Sequence, residues 1–105
     1  MKEKSVVRSI QLGVKRAYPK SWIIKIADRF TRFLPDLIVQ VLLHCGLGVT
    51  LYIETKTVAG VLSKGQEAEH EKIRAQGGVV IVARHAADVL RVLRALERIH
   101  RKVTP

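Results

Sequence analysis

The sequence predicts a single α/β domain in which a small mixed sheet is flanked by helices. Apolar residues recur at helical spacing near both ends of the chain, and aliphatic runs of strand length occupy its middle. A further short aliphatic run separates two helical segments. A chain of 105 residues can bury one core but not two, so residues 1–105 are expected to form one domain.

The first half of the chain predicts one helix and three strands. Residues 2–17 place apolar side chains on one helical face, and Pro19 ends that segment. The predicted strands cover 21–28, 37–43 and 49–56. The second strand is almost wholly aliphatic, which favours a strand covered on both faces, whereas the third alternates. We expect the turn between them to contain Gly46.

The second half predicts a helix, a strand and a closing helix. The first of these helices runs from Ser63 to about Gln76 and ends at a pair of glycines. Residues 79–83 form a short buried strand, and 85–101 form a helix with an apolar stripe. The order is therefore αβββαβα.

Charge and cysteine content narrow the classes of partner and setting. Nineteen Lys and Arg against nine Asp and Glu leave a net charge of +10, which favours nucleic acid before membrane surfaces. Cys45 is the only cysteine, so neither an internal disulfide nor a thiolate zinc cluster is expected, and a reducing cytoplasmic setting fits best. Charges interrupt the N-terminus, which disfavours a signal peptide. Gly and polar residues interrupt the apolar window 33–53, which disfavours a membrane span.

Two acids and a lysine come from neighbouring predicted strands. Asp36 opens one strand, while Glu54 and Lys56 share a face near the end of the next. In a hairpin the start of one strand lies beside the end of the other, so Asp36 is expected close to Glu54. Two carboxylates on rigid strands suit a hard cation such as Mg²⁺, and Lys56 could position a water or offset transition-state charge. Spacing alone leaves open an ordinary Asp/Glu–Lys surface pair.

The acids and the lysine belong to a longer ordered set of motifs, namely Pro35-Asp36, Glu54-Thr55-Lys56, Gly60-Val61-Leu62-Ser63-Lys64-Gly65-Gln66 and Gly77-Gly78-Val79-Val80, followed by the closing helix. This pattern resembles the VRR-NUC family of the PD-(D/E)XK superfamily. The resemblance covers the chain from about Trp22 to Leu96. It implies a restriction-endonuclease-like fold and a phosphodiesterase that depends on Mg²⁺ or Mn²⁺ and acts on DNA.

The resemblance also implies roles for individual residues. Asp36 and Glu54 would ligate the metal with the Thr55 carbonyl, and Lys56 would be the catalytic lysine. Gln66 would lie near the active site, although Ser63 and Gln66 also fit a helix capping box. The superfamily commonly adds an acid from the first helix. Glu3 is the candidate, expected to point inward, although an acid also suits a helix N-terminus.

Basic residues near these motifs predict the path of a phosphate backbone. Lys25 on the first strand, Arg29 and Arg32 in the basic loop, and Lys64 are the candidates. The similarity suggests bacterial or phage enzymes that act as homodimers on branched DNA such as four-way junctions. Flaps, nicks, single strands and plain duplex fit these residues equally well.

Two other functions remain open, and the histidines receive no role. A basic nucleic-acid-binding module with the same fold would bind without cleaving, and a structural protein would use its basic surface to contact another protein. The four histidines are scattered rather than paired at metal-binding spacing, and all are interpreted as surface residues: His44, His70, His85 and His100.

Overall fold

The computed structural model describes residues 2–26 and 33–103 and confirms the predicted order of elements. The elements are α1 (Glu3–Ala17), β1 (Trp22–Lys25), β2 (Leu37–Leu42), β3 (Gly48–Thr55), α2 (Lys64–Ala75), β4 (Val79–Ala83) and α3 (Ala86–Val103). The predicted small mixed sheet flanked by helices is therefore confirmed.

The four strands form one sheet in the order β1-β2-β3-β4. The first three strands pair antiparallel, and β4 runs parallel to β3. A parallel pair needs a crossover connection, which α2 provides. The core packs α1 and α3 against one face of the sheet, through side chains such as Ile10, Leu51 and Leu93. The parallel pair leaves the carboxyl end of β3 beside the start of α2.

The structure corrects the prediction that β2 is covered on both faces. Its odd-numbered residues are buried in the core, but Gln40 is exposed and Leu42 keeps 67% of its surface accessible. The reason is the position of α2, which packs near β4 and leaves the β1–β2 side of the second face uncovered. Aliphatic sequence alone does not distinguish a covered face from an exposed apolar one.

Strand ends also differ from the predicted bounds. β1 contains only four residues rather than the predicted 21–28, and residues 27–32 lie outside the described part of the chain. β3 begins at Gly48 and ends at Thr55, so Lys56 follows the strand instead of belonging to it. The hairpin between β2 and β3 turns at Gly46, whose φ of +94° suits glycine.

Local signals define both ends of α2. The Ser63 hydroxyl accepts from the Gln66 N–H at 3.1 Å, and the Gln66 Oε1 accepts from the Ser63 N–H at 3.0 Å, which completes the capping box. At the other end Gly77 has φ +82°, and the Gly78 N–H bonds the Ile73 carbonyl at 2.9 Å. These ends set where α2 starts and where the chain enters β4.

The apolar window 33–53 contributes to β2 and β3 around their turn, as predicted. None of the helices in the described part of the chain combines the length and apolar character needed to cross a bilayer.

Candidate active site

The hairpin register places Asp36 opposite Glu54. Leu37 pairs with Ile53 across β2 and β3, so the residue before Leu37 faces the residue after Ile53. The Asp36 side chain raises the pKa of Glu54, so the two carboxyl groups lie close enough to interact. Two neighbouring carboxyl groups repel when both are ionised, which favours a proton on one of them.

Asp36 is held in place by Thr55. Its Oδ2 accepts from the Thr55 N–H and from the Thr55 hydroxyl, both at 2.7 Å. Thr55 is 1% exposed and closes β3, so the donors belong to a rigid strand end. The Thr55 carbonyl remains a predicted metal ligand.

Glu54 is the acid that carries the proton. Burial raises the pKa of Glu54 to about 8, helped by the Asp36 side chain and its charge. The side chain is only 2% exposed, so water stabilises its charge poorly. Lys56 lowers the same pKa and Glu3 raises it. The positive charge of Lys56 is therefore too weak to keep the buried Glu54 carboxyl ionised.

Lys56 lies beside this acid pair, half-buried against the loop that follows β3. A Cβ on Gly60 would lie 3.3 Å from Lys56 Cδ, so the lysine stem runs along the Gly60 backbone. The Arg84 guanidinium donates to the Gly60 carbonyl at 2.7 Å and holds that loop against β4. The ammonium lies near enough to Glu54 for its charge to act on that pKa.

Glu3 does not point inward as predicted. It is exposed at the first residue of α1, while Val6 and Val7 take the buried positions. Its charge still raises the pKa of Glu54, although other effects on that pKa are larger. Its role as a metal ligand remains a prediction.

Gln66 takes part in the capping box, the alternative left open by the sequence. Its Oε1 accepts from the Ser63 N–H, and the side chain is half-buried at the third position of α2. A role near the active site would use the side-chain amide N–H group and stays a prediction.

Two of the four predicted phosphate contacts can be placed. Lys25 pairs with Leu37, and the next residue donates its N–H to the Asp36 carbonyl at 2.8 Å, so Lys25 lies at the acidic end of the sheet.

Lys64 begins α2 and is exposed. A Cβ on the adjacent Gly65 would lie 2.6 Å from the Phe33 ring, so the start of α2 packs against the segment leading into Asp36. Arg29 and Arg32 lie outside the described residues.

His70 was predicted to be a surface residue, and that prediction is wrong. The side chain is fully buried, and its Nε2 lies 3.3 Å from Glu54 Oε1. Burial lowers the pKa of His70, with further lowering by Arg74 and Lys56. The signal for burial was helical position: His70 shares a face with Gln66 and Ile73, and α2 offers little else to pack inward.

The donor set suits a hard divalent cation that keeps most of its water. Within the described ranges, no group of three His, Cys, Asp or Glu side chains converges as a metal site. Asp36 and Glu54 are brought together without full charge compensation, and Glu54 holds a proton. A divalent cation can replace that proton and offset both charges, and Mg²⁺ commonly binds through one or two carboxylates.

The sheet and its flanking helices define an α/β domain, and a comparison with solved structures identifies a known domain with the same fold. A structure described as a VRR_NUC domain superposes with a TM-score of 0.62 and 24% identity, covering 85% of this chain and 94% of that chain. The chain therefore has the fold of a VRR_NUC domain, as the sequence motifs predicted. No protein-family model matches the sequence, and no curated protein is significantly similar to it.

The raised pKa of Glu54 predicts a pH-dependent stability in metal-free protein. The folded state binds this proton more tightly than the unfolded chain, whose glutamate titrates near pH 4.3. The contribution is complete below about pH 4 and is lost as the pH rises towards about 8, by at most about 5 kcal/mol.

Urea unfolding at several pH values, with a chelator present, measures this loss. We expect Glu54→Gln to remove most of the decline and to be more stable than the wild type at pH 8. Glu71→Gln is the control, because the Glu71 side chain is 75% exposed and should leave the decline unchanged. Equal pH profiles for the wild type and Glu54→Gln would contradict the assignment of the proton.

Proposed function

We propose that this protein is a divalent-metal-dependent endonuclease that hydrolyses phosphodiester bonds in DNA. The observation that carries the proposal is the opposition of Asp36 and Glu54 across β2 and β3, with the Lys56 charge acting on Glu54. The VRR_NUC-like fold supports it, because that fold presents the pair at the ends of adjacent strands. A basic protein with net charge +10 has little reason to place two acids beside a polyanion unless a cation joins them.

Asp36 and Glu54 would hold Mg²⁺ or Mn²⁺, with the Thr55 carbonyl and, by the family resemblance, Glu3 as further ligands. Such an ion supplies Lewis-acid stabilisation of a phosphoryl oxygen and acidifies a bound water. Thr55 orients Asp36 through two short hydrogen bonds, which fixes one carboxylate before any ligand arrives. This preorganisation lowers the cost of forming the site.

Lys56 is proposed as the catalytic cation. Its stem is held along Gly60, which restricts where the ammonium can lie. From there Lys56 orients the attacking water or stabilises negative charge on the phosphoryl group in the transition state. Gln66 is proposed to act next to this group through its amide N–H, while its oxygen caps α2.

DNA is proposed to cross the acidic end of the sheet. Lys25 lies beside the Asp36 segment, and Lys64 lies at the start of α2. Arg29 and Arg32, which precede Asp36 in the sequence, are proposed to extend this track. Contacts of this kind bind the phosphate backbone and set the position of the strand without reading sequence. We infer a cytoplasmic setting for such an enzyme, in a bacterium or phage-infected cell.

Branched DNA, such as a four-way junction, is the proposed substrate, and a homodimer is the proposed active form. One domain carries one acid pair, so cutting two strands calls for two copies. The uncovered face of the sheet offers an interface for a second copy, because Trp22 and Leu42 are 55% and 67% exposed on neighbouring strands.

Removing either acid should abolish cleavage. We expect Asp36→Ala and Glu54→Ala to lower the cleavage rate at least about 10³-fold, and Lys56→Ala about 10²-fold or more, because each removes electrostatic stabilisation of the reacting phosphate. Cleavage of supercoiled and four-way DNA with Mg²⁺ or Mn²⁺ provides the measurement. The exposed Glu71→Ala serves as the control.

DNA affinity separates this proposal from a binding module that does not cut. Both acid variants should bind DNA as well as the wild type or more tightly, because each loses negative charge near the backbone. Wild-type protein that binds DNA but cleaves no substrate with any divalent metal would indicate the binding module instead. Association with a protein partner that is insensitive to salt, without DNA binding, would indicate a structural role.

The proposed phosphate contacts predict a change in salt dependence. Lys25→Ala with Lys64→Ala should weaken DNA binding and reduce the slope of log K against log salt by about 2, because two counterion-releasing contacts are lost. Lys72→Ala with Arg74→Ala removes the same charge from residues already paired with Glu69 and Glu71, and should change the slope little. Equal effects of the two double variants would place the DNA elsewhere.

The proposed dimer interface predicts a change in oligomeric state. Sedimentation should show a dimer for the wild type and a monomer for Trp22→Glu with Leu42→Glu, because burying two charges opposes association. Val61→Glu changes a still more exposed apolar residue in the loop after β3 and should remain dimeric. A wild type that stays monomeric, or a dimeric double variant, would contradict this interface.

A further inference from the structure

His70 is the buried polar residue whose presence the preceding roles do not explain. It is the buried residue of α2, fully inaccessible to solvent, on a helix whose other side chains are largely charged. Its Nε2 contacts Glu54 Oε1 at 3.3 Å. Its Nδ1 is also buried and has no hydrogen-bond partner. An apolar side chain would avoid the unpaired nitrogen but would offer Glu54 no polar contact.

We propose that His70 is a positioning residue that holds the Glu54 carboxylate for cation binding, by donating its Nε2–H to Oε1. This inference rests on the proposed function, since Glu54 is a ligand only if the protein binds a metal. The positioning of a metal ligand then explains why a histidine with one unpaired nitrogen occupies this buried position.

The tautomer follows from the chemistry of the partner. A carboxylate that coordinates a cation is ionised and can only accept hydrogen bonds, so Nε2 must carry the proton. A buried imidazolium would add like charge beside a bound divalent cation, so the ring is neutral and Nδ1 carries a lone pair and no hydrogen. The single contact therefore assigns the neutral Nε2–H imidazole to the metal-binding state.

The two acids are positioned by different elements. Thr55 at the end of β3 holds Asp36, whereas His70 from α2 holds Glu54. The His70 contact fixes one Glu54 oxygen from the α2 side of the sheet and leaves Oε2 free of that contact. Groups that orient metal ligands in this way typically contribute 10- to 100-fold to metal affinity.

Direct metal binding tests the role without DNA. We expect His70→Leu to weaken Mn²⁺ binding about tenfold or more by calorimetry, because the donor is lost. His70→Gln places an amide N–H at similar reach and should bind Mn²⁺ close to the wild type. Both substitutes are good helix formers, so α2 should persist in each.

Stability distinguishes positioning from packing. His70→Leu removes an unpaired buried nitrogen and also the donor to Glu54 Oε1, two effects of opposite sign, so its midpoint in urea without metal should stay close to that of His70→Gln. A packing role would instead lower the midpoints of both variants and leave Mn²⁺ affinity unchanged. That result would overturn the proposal.

The wild-type imidazole gives a readout that needs no variant. Nitrogen NMR of the Mg²⁺-loaded protein should show His70 protonated at Nε2 and bare at Nδ1. A proton on Nδ1 in that state would overturn the assignment, even if both variants failed to fold.

Failure of this inference is distinguishable from failure of the proposed function. If the wild type binds Mn²⁺, Glu54→Ala does not, and His70→Leu binds as the wild type, then only the role of His70 is wrong. If the wild type itself binds no Mn²⁺, both the proposed function and this inference are overturned.

Discussion

The opposition of Asp36 and Glu54 across the β2–β3 hairpin is the constraint around which the site is organised. Two carboxylates about 4 Å apart repel by about 4 kcal/mol at the effective dielectric of a protein site. In this protein the repulsion is relieved by a proton on Glu54, whose pKa rises to about 8. The cation site proposed above rests on this pairing, because a bound divalent cation would offset both charges.

The elements around the pair restrict its geometry from three directions. Thr55 holds Asp36 from the end of β3, His70 contacts Glu54 from α2, and Lys56 contributes positive charge from the following loop. The capping box then fixes where α2 begins, and its glycine end fixes where the chain turns into β4. The two ends of α2 therefore determine where a buried histidine meets the acids.

Helices cover the two faces of the sheet unequally. One face is covered by α1 and α3 and supplies the core, whereas α2 covers only the part of the other face near β4. The covered part carries Glu54 and His70, and both side chains are buried. The uncovered part presents Trp22 and Leu42, which a second copy of the chain could bury. A single crossover helix thus separates a buried polar site from an exposed apolar surface.

The sequence by itself determined the elements, their order and the nearness of Asp36 to Glu54. Each depends on local physics: period-two and helical patterns define the elements, and a short turn aligns the two strands of a hairpin. Only the tertiary structure decided that His70 is buried under Glu54, that Glu3 is exposed, and that β2 has an open face. These features depend on where helices dock on the sheet, which is set by packing between segments distant in the chain and leaves little trace in local periodicity.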